Sequence, residues 1–288
     1  PQPPVAARHP HITEHFGVRR VDDYFWLRQR DNPEVIAYLE AENAYTEAMM
    51  AHTVPLQETL YREFLSRIKE TDLSVPVRRD GWYYYSRTEQ GRDYPIFCRK
   101  HGSLEAAEEV ILDVNVLATG HQYYDIGSAA VSPDHRLLVY GEDSDGSETY
   151  RLRVKNLETG ELLGVDIGNT AADVEWCLDS RSFYYTVLDA VKRPYRVVRH
   201  RLDGGHEETV FEEPDEAFFV RLGHSKDRRQ IYISLGSHVT SEEYFLDAAD
   251  PRAAPALVRA RQHGVEYSIA HREGEFWILT NEDAVNFR

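Results

Sequence analysis

His11-Ile12-Thr13-Glu14-His15 spells H-x-x-E-H. On a helix that spacing sets two imidazoles on one metal ion with a carboxylate between them. Here Pro10 precedes the string, Gly17 follows closely, no helical stripe surrounds it, and no third ligand can be named. It is therefore expected to be an irregular, extended, metal-free segment. A zinc peptidase built on His11 and His15 would need stoichiometric metal. A serine hydrolase of the α/β type needs G-x-S-x-G, because the nucleophile sits on a strained turn that glycine neighbours permit. No such window occurs, and the nearest string is Gly223-His224-Ser225-Lys226-Asp227, with Asp in place of the second Gly. Ser225 falls in a turn that recurs along the chain, so a structural role is expected for it. Glu142-Asp143-Ser144-Asp145-Gly146-Ser147-Glu148 is acidic, but a calcium loop counted from Asp143 would need Glu at its twelfth position, where Val154 stands. It reads as a hairpin tip with Asp-Gly as the turn former. Neither G-x-x-x-x-G-K-[ST] nor G-x-G-x-x-G occurs. The residues alone therefore name no catalytic, metal or cofactor site.

Composition bounds the partners. The chain of 288 residues carries a formal charge of −16, which argues against nucleic acid, since phosphate binding needs a cationic face. It suits a protein that draws in cationic ligands. Apolar residues make up 42 %, enough for a packed core. No apolar run approaches the ~18 residues of a membrane span. Pro1-Gln2-Pro3-Pro4 lacks the apolar stretch of a signal peptide. Cys98 and Cys177 form neither a disulfide framework nor a metal pair and are expected to be small buried hydrophobes. The cytoplasm is the expected compartment.

The elements that must position any site change character near residue 74, giving an expected helical extension over 1–74 and a β domain over 75–288. Asn32-Pro33 reads as a helix start. Helices are predicted within about 33–51 and 55–70. Leu56, Leu60, Phe64 and Ile68 recur every four residues, widened by Tyr61 and Leu65, and this stripe must bury against something outside so short a segment. From Val75 onward the period becomes two, and aromatic runs follow polar turns: Trp82–Tyr85, Leu137–Tyr140, Ser182–Thr186, Ile231–Ser234 and Glu275–Leu279. With Asp80, Asp134, Ser180, Asp227 and Glu273 as markers, the turns repeat at gaps of 54, 46, 47 and 46 residues. Four strands in about 40–50 residues is the blade of a β-propeller. A β-sandwich, the other all-β option, has no reason to repeat at a fixed period. Tyr84, Val139, Tyr185 or Ile233, and Trp277 are expected in blade cores. Residues 75–288 supply about four and a half blades, and a ring stopping there leaves an open sheet edge, so a longer parent chain is expected.

Specific strings add a resemblance. Asp22-Asp23-Tyr24-Phe25-Trp26-Leu27-Arg28 resembles the opening motif of the prolyl oligopeptidase family of serine peptidases. Leu112-Asp113-Val114-Asn115, Gly120-His121-Gln122-Tyr123-Tyr124, Ser132-Pro133-Asp134, Asn156-Leu157-Glu158-Thr159-Gly160 and Ser241–Ala248 resemble its oligopeptidase B (protease II) branch. They run in order through nearly the whole chain. The resemblance implies a mainly β fold, with a helical extension before a seven-bladed propeller, and an α/β-hydrolase domain after it. The extension would pack on that domain, and the propeller would admit only short peptides. Oligopeptidase B-like members cleave after Arg or Lys, which implies short basic peptides as substrate and the hydrolase domain as intramolecular partner, with no cofactor, nucleic acid or membrane. The family's catalytic triad lies after the propeller, so it is expected beyond Arg288 and no catalytic residue can be carried onto this sequence. These 288 residues alone are expected to be inactive. The rival class is a free-standing propeller serving as a binding scaffold without peptidase activity.

Overall fold

The computed structural model describes residues 1–288, and the chain divides into two compact units, Pro1–Glu70 and Thr71–Arg288. No helix is long and apolar enough to cross a membrane.

The first unit opens with an antiparallel hairpin of β1 (His11–His15) and β2 (Val18–Asp22), with His11 opposite Asp22 and His15 opposite Val18. This corrects the expectation of an irregular segment. Phe16 and Gly17 adopt φ of 52° and 75°, the two left-handed residues that a tight hairpin turn demands, so Gly17 closes a hairpin instead of interrupting structure. Helix α1 (Pro33–Met50) starts at Asn32, whose side chain accepts a hydrogen bond from the Glu34 amide at 2.9 Å. Helix α2 (Val54–Arg67) follows a single 3₁₀ turn and stops where Ile68 becomes extended, earlier than the stripe predicts. Trp26 and Val35 are buried within this unit, but Leu56, Tyr61 and Phe64 are each 58 % exposed. The apolar face of α2 thus has no cover.

The second unit is a succession of antiparallel sheets. Blade 1 comprises β3 (Val77–Arg79), β4 (Trp82–Arg87), β5 (Ile96–His101) and β6 (Glu109–Asp113). Residues just before it run beside β4: Leu73 bridges Arg87, and the Ser74 amide donates to the Ser86 carbonyl. Blade 2 comprises β7 (Asp125–Val131), β8 (Leu137–Asp143) and β9 (Tyr150–Asn156), and closes with the first residues of β10 (Ile167–Trp176). β10 serves two sheets. Thr170 stands opposite Tyr150 of β9, and further along Val174 and Trp176 stand opposite Tyr185 and Phe183. The outermost strand of one blade therefore runs on as the innermost strand of the next. Blade 3 continues with β11 (Ser182–Leu188), β12 (Pro194–Arg201) and β13 (His206–Glu212). Blade 4 is β14 (Phe219–His224), β15 (Gln230–Gly236), β16 (Ser241–Asp247) and β17 (Ala256–Arg259). A hairpin of β18 (Tyr267–Arg272) and β19 (Glu275–Thr280) begins a fifth. This is the predicted propeller pattern.

Strand alternation builds the core. Leu138 and Tyr140 face blade 1, joining Ile111, Leu112 and Val131, while Val139 between them joins Val174, Phe183 and Tyr185 of blade 3. Tyr184 turns the other way, onto Val220, Ile231 and Ile233 of blade 4. The second strands of blades 2 to 4 are thus buried on both faces, which is why these strands read as unbroken apolar runs. Trp277 departs from expectation. It is 63 % exposed, on the outer strand of a hairpin that no further strand joins.

The repeat also has a sharper register than acidic markers give. Asp80, His135, Ser180, Arg228 and Glu273 all take φ between 47° and 63° in the first turn of their blades. His135 and Arg228, not Asp134 and Asp227, are thus the equivalents of Ser180. Asp134 and Asp227 instead accept hydrogen bonds from the Ser132 and Ser225 hydroxyls, both at 2.6 Å, and pin the turn.

Candidate functional site

The innermost strands of blades 1 to 4 line a common cavity of about 600 Å³. β7 offers it Gly127, Ser128, Ala129 and Ala130, side chains small enough to leave the space open. At Gly127 a Cβ would lie 2.4 Å from the Tyr150 ring, so glycine there lets Tyr150 pack close to β7 and hydrogen-bond Asp125 at 3.0 Å.

Charged groups converge from separate blades. Arg79, at the end of β3, donates from Nη2 to the Val131 carbonyl at 3.0 Å. Asp173 and Glu175 come from β10, His224 from β14, and Arg228 from the left-handed position of the following turn. His224 Nδ1 lies 2.7 Å from Glu175 Oε2. Asp173 accepts from the Leu222 amide at 3.4 Å, and burial raises its pKa. Burial, then the neighbouring Arg228, pull the Arg79 guanidinium down to about 10. Beside this group, Tyr84 Oη is 2.7 Å from His135 Nδ1, and burial and then Arg79 hold the His135 imidazole below its ordinary range.

Such a wall can bind and orient charged ligands. It does not pair a nucleophile with a base. Cys98 reaches the wall, but burial pushes its thiol up to about 11, which leaves almost no thiolate at neutral pH. Cys177 is likewise fully buried and pushed up to about 12. Ser225 is 2 % exposed and donates to Asp227, whose other oxygen is 3.0 Å from His271 Nδ1. The carboxylate sits between hydroxyl and imidazole, so the imidazole does not reach the hydroxyl as a triad base must. His11 and His15 share one face of a strand, about 13 Å apart at ~3.3 Å per residue, too far for one metal ion. His11 stacks on Phe25 at 3.9 Å. The Asp143 carboxylate accepts the amides of Asp145, Gly146 and Glu148, which makes the acidic string a closed turn.

Sequence reasoning missed Arg79, Asp173, Glu175 and Arg228, and noted His224 only as part of a near-miss string. Their spacing carries no motif, because they come from three different blades. The available signal was the repeat itself: Glu175 and His224 stand 49 residues apart on successive innermost strands.

Residues 3–288 match the family described as prolyl oligopeptidase, N-terminal beta-propeller domain. The chain is 40 % identical to dipeptidyl aminopeptidase BI of Pseudoxanthomonas mexicana, over 99 % of this chain and 42 % of that protein. It is 37 % identical to Protease 2 of Moraxella lacunata, over 99 % and 43 %. Among solved structures, oligopeptidase B from Leishmania major superposes with a TM-score of 0.90 at 30 % identity, covering 100 % of this chain and 44 % of that one. The chain thus spans less than half the length of these relatives.

Proposed function

Since the chain belongs to the prolyl oligopeptidase family, we propose that it is the helical extension and part of the propeller of a serine oligopeptidase that cleaves short peptides after Arg or Lys. The observation that carries this reading is the match of residues 3–288 to the family, and of 99 % of the chain to relatives more than twice as long that are named as an aminopeptidase and a protease. The nucleophile, base and acid then lie beyond Arg288, in an α/β-hydrolase domain. The mechanism is acyl transfer, with Ser attack, His as general base and an oxyanion hole. In this reading residues 1–74 form the extension and 75–288 an incomplete propeller. The uncovered face of α2, with Leu56, Leu60 and Phe64, is the surface that docks on the hydrolase domain.

The propeller's role is to gate. A cavity of about 600 Å³ accommodates a short extended peptide and no folded domain. The charge of −16 raises the encounter rate with cationic peptides, by ~10-fold or more at low salt. The test is a fluorogenic Arg-ended peptide given to the 288-residue chain, to the protein extended to the length of its relatives, and to that longer protein after a serine-directed reagent. Turnover by the untreated longer protein alone supports the reading. Turnover by the 288 residues alone overturns it. Inactivity of all three favours a binding scaffold.

A further inference from the structure

Two guanidinium groups share the cavity wall with Asp173 and Glu175, yet neither forms an ion pair with a carboxylate. Arg79 and Arg228 come from blades 1 and 4, and both also line a recess of about 70 Å³ at the cavity's end, with Pro133, Trp176 and Ile231. Arg79 has one hydrogen bond, to the Val131 carbonyl, and its buried Nε has no partner. The half-buried Arg228 side chain makes no ion pair or hydrogen bond. The nearby acids are otherwise engaged. Glu175 meets His224, Asp173 accepts the Leu222 amide, and Asp80 is largely exposed and lies 3.6 Å from His135. Two like charges held in a partly desolvated wall are unfavourable, as the lowered proton affinity of Arg79 reflects. An anion between them would remove that cost and use the idle donors.

We propose that this recess, between Arg79 and Arg228, is a binding site for the terminal carboxylate of a peptide. A planar carboxylate suits the guanidinium fork and can be held by two parallel N–H bonds. The recess wall also holds Glu175, paired with His224, and its apolar part, with Val131, Trp176, Leu178 and Ile231, suits an apolar side chain attached to the carboxylate better than a fully hydrated inorganic anion. Choosing a peptide as the carrier rests on the peptidase reading above. The anion site itself does not.

The test is calorimetric titration of the 288-residue chain with an N-acetylated tripeptide ending in Leu, as the free acid and as the amide, and with inorganic phosphate. The free acid should bind at least tenfold more tightly than the amide or phosphate. Arg228→Gln, in a surface turn, should weaken acid binding at least tenfold with an unchanged melting temperature. Arg228→Lys, which keeps charge and loses the fork, should recover only part of it. Arg272→Gln, at an exposed side chain outside the cavity, should leave binding intact. Equal binding of acid and amide, or acid binding unaffected by Arg228→Gln, overturns the proposal. Arg-dependent binding of phosphate with no preference for the peptide acid overturns the carboxylate assignment. Lack of peptidase activity in the longer protein would not alter these titrations, so the two readings fail separately.

Discussion

Arg261 closes on Glu242 with three hydrogen bonds: its amide to Oε1 at 2.8 Å, and Nε and Nη2 to Oε2 at 3.0 and 2.8 Å. The same guanidinium reaches Glu213 and lies 4.0 Å from the Phe218 ring centroid. Glu213 and Glu242 are 2 % and 4 % exposed, so two buried carboxylates share this one cation. It sits on the link from blade 4 to the fifth hairpin, whereas Glu213 lies between blades 3 and 4. One cluster therefore ties three blades.

Removing the cation should be costly. Arg261→Ala leaves two buried charges uncompensated, and the expected loss is about 3 kcal/mol in urea denaturation at pH 7. Double replacement Glu213→Gln with Glu242→Gln in that background should restore part of the loss. A denaturation midpoint unmoved by Arg261→Ala would show that the cluster does not hold the blades.

Glu243 should make stability depend on pH. Its carboxylate is 6 % exposed and accepts one side-chain hydrogen bond, from Ser234 at 2.6 Å; burial pushes it up to about 7. A folded pKa above the unfolded value means the folded state holds the proton more tightly. The contribution is therefore full below about pH 4.5 and is lost as pH rises through about 7, roughly 3 kcal/mol in all. Glu243→Gln should stabilise the chain at pH 8, leave it unchanged at pH 4, and flatten the curve between. An identical pH profile for wild type and variant would refute this.

The core and the open edge should respond differently. Phe183 is fully buried between blades 2 and 3, so Phe183→Ala should cost about 3–5 kcal/mol. Trp277→Ala, at a side chain left mostly in water, should cost under about 1 kcal/mol in the same 288-residue chain. Comparable losses at the two positions would contradict the packing described here.

Gly127 tests the cavity wall. Gly127→Ala places a methyl group against the Tyr150 ring and should destabilise by about 1–3 kcal/mol, with loss of the Tyr150–Asp125 hydrogen bond. Combining it with Tyr150→Ala should relieve the clash, so that adding Gly127→Ala to that variant costs almost nothing further.

The blades were legible because every unit needs the same turn chemistry, and the turns at Asp80-Gly81 and Glu273-Gly274 announce themselves by residue type. The turns through His135, Ser180 and Arg228 were found only approximately. There a non-glycine residue takes the left-handed conformation while a neighbouring carboxylate holds the turn, and the carboxylate is what a reader notices. The hairpin of His11–His15 was missed because Pro10 and Gly17 look like breakers, although Phe16-Gly17 is a turn pair. The cavity cluster was not legible. Arg79, Glu175, His224 and Arg228 meet through the curvature of successive sheets, which local spacing does not encode.

The proposed role of this propeller in a peptidase of short basic peptides stands or falls on the products of hydrolysis. The protein extended to the length of its relatives would be incubated with a defined mixture of short peptides and a folded protein, and new termini read by mass spectrometry. New C-termini at Arg or Lys are expected in the peptides alone, with the folded protein intact. Cleavage after other residues, or cleavage of the folded protein at a comparable rate, would contradict that role.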